Sequence, residues 1–597
     1  MKAFLLFSVI CFACALSLTD PLFAQQTENK KPGIFVVDVE QDTITINSAH
    51  FGISASTVPG SRVAVNGKPY KVYPSGAFAG LLDLQVGENP FTITALTPSG
   101  ETLSRTFLII RRKPLETTSA DSLVIEDAMM EPSRELWLNE GDVLNLRFKG
   151  TPGCKAYFGG GKGTWMQMIE LPDSETDGIR GIYQGIYKIM PTEILLAPVA
   201  VTFKLEDSTG KSITKLSKAK FSVRTNEFPY VAAAKGERPY LNYGLGEDRL
   251  GGAKMGFLNP GVRLKINGKA GKQYRVMLSN NLDAWIPEDQ VDILPEGTFL
   301  PYSLTGSWSV YGDDKYDYIS VGLSEKLPYT SLQDPINHRL IVDVYGAVAN
   351  SNWITQHLTT KEIKNVYYEQ PEKDVFRIII ELKHKQSWGY GIDYKGNNLV
   401  VKIKRQPEEL DLDKLTFILD AGHGGASLGA VGGTGSLEKN INLSTVLHLK
   451  ELLEKEGARV ILTRKDDSNV LNSERVRTII NSGADILISV HANAPGSSSD
   501  PEKIKGISTY YKYIGFRPLS TFIYKQVLKT GLEPNGNVGS FNFALNSPTE
   551  LPNVLVEQAF MSNPEDEMKL TDDDFRRELA GKIVKGVKDF LEYCDEK

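Results

Sequence analysis

Four side chains in the last third of this chain can work together on an acyl bond. His423 lies in ILDAGHGGASLG, Glu438 in GSLEKNIN, His491 in LISVHAN and Glu557 in PNVLVEQAF. His423 and His491 are two of only seven histidines in 597 residues. Two imidazoles and one carboxylate suffice to hold a catalytic Zn²⁺, which takes three protein ligands and keeps a position for water. A fourth group, left outside the metal, can take a proton from that water and deliver it to a leaving amine. Residue types and spacing alone leave open which carboxylate binds and which moves the proton. The glycines around His423 allow close approach of backbone to metal and substrate.

The surrounding sequence predicts elements that would bring these groups together. LTFILD, RVILTR, ADILISVHAN, GISTYYK and PNVLVEQAF read as strands, alternating with helices over Ser436–Glu456, from about Ser473, near Pro518–Lys529 and at the C-terminus. Consecutive apolar runs such as Ile486-Leu487-Ile488 suit strands covered on both faces, so residues 412–597 are expected to form an α/β domain with a mainly parallel sheet. Function in such sheets collects past the carboxyl ends of the strands. His423, His491 and Glu557 all fall at those ends. Glu438 is expected just inside a helix capped by Ser436 and fixed by an apolar face of Leu443, Val446, Leu447 and Leu453. The glycine-rich stretch does not fit a dinucleotide fingerprint, because Ser427 stands where the third glycine belongs, and no Gly-Lys-Ser/Thr is present for a P-loop. Asp420 reads either as orienting a ligand or as capping the turn. His448 reads as a packing or surface residue, and Trp285, Trp353 and Trp388 read either as surfaces for stacking on sugars or, as strand aromatics, as core.

These blocks resemble the zinc-dependent N-acetylmuramoyl-L-alanine amidase family of the type 3 catalytic domain: D-x-GHGG at Asp420–Gly425, EK-x-x-N-x from Glu438, LTR at Leu462–Arg464, R-x-x-x-x-N loosely at Arg477–Asn481, S-x-HAN at Ser489–Asn493 and, with one extra residue after the proline, P-x-LVE-x-x-F-x-SN-x-x-D at Pro552–Asp566. The resemblance implies that His423, Glu438 and His491 bind Zn²⁺ and that Glu557 is the catalytic base. It implies cleavage of the amide between N-acetylmuramic acid and L-alanine in peptidoglycan, on intact wall or on released muropeptides. The alternative is a wall-binding scaffold whose amidase domain does not turn over. The chain departs from the family pattern at Ala421, Asn440, Ala559 and Asn546. The last stands where an arginine is common and bears on how the peptide is held. Some relatives insert a covering helix after S-x-HAN. Here the stretch before Gly506 is short and rich in Ser and Pro, so an open groove needing no activator protein is expected.

The rest of the chain divides into β modules. Residues 33–113 alternate apolar and polar residues, with Asn66-Gly67 as a hairpin signal, and resemble an Ig-like sandwich. Residues 118–225 read as a second sandwich, 238–297 resemble an SH3-like barrel and 300–405 resemble the AMIN domains found ahead of cell-wall amidases. RQPEELDLDK is polar and charged, so few contacts are expected between the AMIN-like region and the α/β domain. MKAFLLFSVICFACALSLTDPLFA, residues 1–24, reads as a cleaved export signal to the periplasm or cell envelope, with no integral membrane segment left afterwards. Lipidation at Cys14 is a lesser alternative. A net charge of −6 gives no general attraction to nucleic acid. Cys154 and Cys594, far apart, provide no disulfide framework.

Overall fold

The computed structural model describes residues 33–39, 42–160, 164–191, 193–225, 229–246 and 250–596. The expected signal segment and Cys14 lie outside these residues. The architecture is mostly β-strand, with an α/β region at the C-terminus.

The first module is a sandwich of a three-stranded and a five-stranded sheet. Val63, Val65, Phe91, Ile93 and Ala95, all on period-2 faces, are buried between the sheets. Asn66 (φ 46°) and Gly67 (φ 79°) make the turn between strands Arg62–Val65 and Lys68–Tyr70. Positive φ at both positions matches the twist of the flanking strands, which is why Asn-Gly serves there. The next two blocks share one fourteen-stranded hydrogen-bonded network. The strand Leu136–Asn139 links them, parallel to Phe221–Arg224 on one side and antiparallel to Lys269–Ala270 on the other. In the block after residue 300, Trp308, Phe376 and Ile380 pack in one apolar cluster with Leu264 and Ile286 of the block before it.

The C-terminal sheet contains β1 (Thr416–Ala421), β2 (Arg459–Leu462), β3 (Ile486–Asn493), β4 (Ile507–Tyr510), β5 (Pro534–Val538) and β6 (Asn553–Phe560), in the order β2-β1-β3-β6-β4-β5. All neighbours run parallel except β4 and β6. The helices are α1 (Glu438–Lys455), α2 (Asn472–Asn481), α3 (Arg517–Val527), α4 (Pro564–Thr571) and α5 (Asp573–Asp595). Phe417, Leu419, Ile486, Ile488, Val554 and Val556 face α1, α3 and α5, while Ile418, Leu487 and Leu555 face α2. Both faces are covered, which accounts for the unbroken apolar runs.

Two local expectations fail. The N-cap of α1 is Leu437, with no side-chain cap bond, because the Ser436 hydroxyl donates instead to Glu567 at 2.6 Å. Leu447 is exposed, and the buried face of α1 is made by Ile441, Asn442, Thr445, Val446, Leu449 and Leu453.

The expected loose connection before the α/β domain is also absent. Trp388, from the block after residue 300, is buried in the α/β core with its ring 6.0 Å from that of Phe590. Lys404 pairs with Asp485 at 2.9 Å, Gln386 donates to the Gly515 carbonyl, and the Tyr390 amide donates to the Thr549 carbonyl. RQPEELDLDK is polar, yet side chains on either side of it pack together. Trp353 lies 58 % exposed, so it is not a core aromatic.

Candidate metal centre

His423, Glu438 and His491 converge at the carboxyl ends of β1 and β3, with their ligand atoms within 4.8 Å of one another. Glu438 stands between the imidazoles: its Oε1 lies 3.2 Å from His423 Nε2 and 3.1 Å from His491 Nδ1. The rings are 5.1 Å apart at 77°. Each residue comes from a different element. His423 follows β1 by two residues and takes a left-handed backbone (φ 63°), Glu438 is the first residue of α1, and His491 lies in β3. Glu557 lies in β6 and is paired in register with His491, so the two neighbours project from the same side of the sheet. His491 and Glu557 sit inside the strands rather than beyond them, two and three residues before Asn493 and Phe560.

Backbone and side chains hold each group in place. The Glu438 carboxylate accepts from the Ala430 and Ala492 amides and from Asn442 Nδ2. Gln558 Nε2 donates to Asn442 Oδ1, and the Thr445 hydroxyl donates to Gln558 Oε1, which makes a buried chain ending at Glu438. His423 Nδ1 lies 2.9 Å from the Ser427 hydroxyl. Two glycines are required by space: a Cβ at Gly422 would lie 2.2 Å from the His491 ring, and one at Gly429 would lie 2.3 Å from Glu438 Oε2.

Asp420 acts at one remove. It is fully buried and accepts from Thr463, Ser489 and Arg475, while Arg475 Nη2 donates to the His423 carbonyl at 2.6 Å. Burial opposes the Asp420 charge, but Arg475 leads the groups that hold its pKa below the usual value. Arg464 donates to the Ala421, Gly422 and Lys439 carbonyls, clamping the His423 turn to α1. Sequence reading missed Arg475, Gln558 and Glu567, and it placed Asn442 in the EK-x-x-N-x block without giving it a role. The loosely matched Arg477 is exposed and pairs with Glu237. The arginine that reaches the His423 turn, Arg475, stands two residues earlier, and nothing in the composition of ERVR distinguishes them. Asn546 is buried at the amino end of β6, where its amide donates to the Tyr510 carbonyl and Asn553, at the opposite end of the sheet from His423, Glu438 and His491.

The electrostatics favour a cation. Burial raises the Glu438 pKa, but His423 and His491 outweigh it and hold the carboxylate well below its ordinary range. Burial likewise opposes a charged His491, but Glu438, then Glu557 and Asp420, push its pKa up to about 9. A metal would take the place of that proton. Two imidazole nitrogens and a carboxylate oxygen, in a cradle that a single Cβ would fill, fit Zn²⁺.

Residues 417–589 match the family profile described as N-acetylmuramoyl-L-alanine amidase. The chain belongs to that family through its C-terminal domain. It is 32% identical over 181 residues to the uncharacterized protein YqiI of Bacillus subtilis, covering 30% of this chain and 85% of that one. It is 35% identical over 196 residues to the probable cell wall amidase LytH of Staphylococcus epidermidis. That alignment covers 32% of this chain and spans 64% of the length of LytH. Among solved structures, the catalytic domain of the amidase CwlV from Bacillus (Paenibacillus) polymyxa is 32% identical, covering 30% of this chain and 98% of that one with a TM-score of 0.28.

Proposed function

We propose that this chain is a zinc-dependent peptidoglycan hydrolase that cleaves the amide between N-acetylmuramic acid and the L-alanine of the stem peptide. The observation that carries the reading is the division between the two carboxylates. Glu438 faces both imidazoles, and Glu557 stands one strand away in the register of His491. His423, Glu438 and His491 would hold Zn²⁺, which when bound supplies Lewis acidity and a water of lowered pKa. Glu557 takes the proton of the attacking water and passes it to the L-alanine nitrogen as the C–N bond breaks, leaving a lactyl carboxylate and a free peptide amine. Asp420, through Arg475, holds the turn that carries His423.

Peptidoglycan is the proposed partner, and nucleic acid is not. Residues 494–505 form turns and no helix, which supports an open groove that works without an activator. No described helix is long and apolar enough to cross a membrane. Together with relatives called cell wall amidases, the signal-like start supports action in the cell envelope after export. The module resemblances at 33–113, 238–297 and 300–405 support wall contact by the β region.

Mass spectrometry of purified peptidoglycan digested by the full chain tests the reading. The expected products are stem peptides with a free L-alanine amino terminus and glycan strands stripped of peptide. Cleavage confined to glycosidic or peptide cross-link bonds, or no cleavage by zinc-loaded protein, would overturn it.

A further inference from the structure

The first β-sandwich, the module farthest in sequence from the metal centre, is seated beside it. The Gly52 amide donates to the Ser497 carbonyl at 2.8 Å, and the Ser54 hydroxyl donates to the Ser562 carbonyl at 3.1 Å. A Cβ on Gly52 would lie 2.1 Å from the Ser499 carbonyl oxygen. A Cβ on Gly433 would come within 3.0 Å of Ser54 Oγ, and one on Gly435 within 3.9 Å of the Phe35 ring. Lys71 and Lys505 both pair with Glu565.

These contacts fall on three segments. Residues 422–437 follow β1, 494–505 follow β3 and 561–565 follow β6; the first carries His423, and the other two leave the strands of His491 and Glu557. The first segment also supplies the Ala430 amide that holds Glu438 Oε2 at 2.7 Å. Its tip is held from one side by Glu567, through Thr434 and Ser436, and on the other side lies against the sandwich at Gly433 and Gly435, close enough that a Cβ on Gly433 would crowd Ser54. A loop touched on one side only is free to shift as a hinge, while one held on both sides is fixed.

We infer that the face of the first sandwich formed by Phe35, Gly52, Ser54 and Lys71 is a positioning surface for the metal centre. By bracing the 428–437 loop it keeps the Ala430 amide on Glu438 and sets the site's affinity for Zn²⁺ and its grip on substrate. The inference rests on the zinc amidase reading. Groups that bond a metal ligand directly, as the Ala430 amide bonds Glu438, typically alter metal affinity or activity by about 10- to 100-fold when lost, and the sandwich face acts through that amide.

The experiment uses the full chain with Gly52→Val, which drives a side chain into the Ser499 carbonyl, and Ser54→Asp, which sets a charge against the Ser562 carbonyl. Hydrogen exchange reports undocking at 494–505 and shows whether the sandwich core strands stay protected. Chelator competition gives the Zn²⁺ dissociation constant, and soluble-muropeptide kinetics give kcat and KM separately. The expected result is faster exchange at 428–437, zinc bound about tenfold or more weakly and a raised KM, with the sandwich core still protected. Ser54→Ala, which removes one hydroxyl, should stay near the parent. Undocking with unchanged zinc affinity and kinetics overturns the inference, as does weakened zinc binding only in variants whose sandwich has unfolded. If neither variant undocks, the surface is not the brace described and the inference fails. A parent chain that binds zinc but cuts nothing would defeat the amidase reading alone, because the zinc-affinity comparison still stands.

Discussion

Glu438 and Glu557 have the same side chain and different neighbours, and the roles proposed for them derive from those neighbours. Glu438 lies between two imidazoles, so His423→Ala should lose most of the bound zinc, as measured by metal analysis of the purified protein. Glu557→Gln should keep the zinc and lose about 10²- to 10⁴-fold in turnover, the usual contribution of an acid–base group. A Glu557→Gln protein that purified without metal would make Glu557 a ligand. The buried Asp420–Arg475 pair, at 2.7 Å, offers a different test, since removing one partner strands the other's charge. Arg475→Met should cost about 3–5 kcal/mol, seen in calorimetry as a lower melting temperature of the C-terminal domain. An unchanged melting curve would refute the role assigned to that pair. At this scale the cluster of His423, Glu438 and His491 was legible because each sits in a recognisable short block. The groups behind them were not, because Arg475 and Gln558 gain meaning only from partners distant in sequence.

The elements of the α/β domain were legible to within a few residues, for a simple reason: parallel strands covered on both faces leave a run of apolar residues. The start of α1 was misread because Ser436 has a competing acceptor in Glu567, which no local pattern reveals. Its buried face was misread because the polar Asn442 and Thr445 are wanted inside, where they serve Glu438 and Gln558. Two substitutions on this helix should therefore contrast. Leu449→Ala, in the core, should destabilise by about 2–5 kcal/mol, whereas Leu447→Lys, on the exposed side, should stay within about 0.5 kcal/mol. Equal effects in thermal melts would return Leu447 to the buried face. At the turn after β1, Gly422→Ala should leave the fold in place, by circular dichroism, and reduce zinc content, because the new Cβ meets the His491 ring. Full zinc occupancy in that variant would show that the turn yields.

Over the whole molecule, the β modules enclose the α/β domain at both ends of its sheet. The blocks before residue 405 grip the amino ends of β3 and β6 through Asp485 and Thr549, and Trp388 is buried in the core itself. The fragment 406–597 leaves the Trp388 site open to water. It should therefore melt below the same domain in the full chain; equal melting temperatures would show that the modules are mere passengers. A polar connector gave no warning of this, since linker composition reports on the linker and not on the surfaces at either side of it.

The seat of the first sandwich has a consequence in time. Ser54 and the Ser562 carbonyl it meets are 508 positions apart. A ribosome adding roughly 5–20 residues per second needs about 25 to 100 s to travel that distance. For most of that interval the sandwich, whose last strand ends at Arg111, is complete while the Ser562 part of its seat has still to be made. The last of the contacts that seat the sandwich, at Ser562 and Glu565, can form only when the chain is nearly finished.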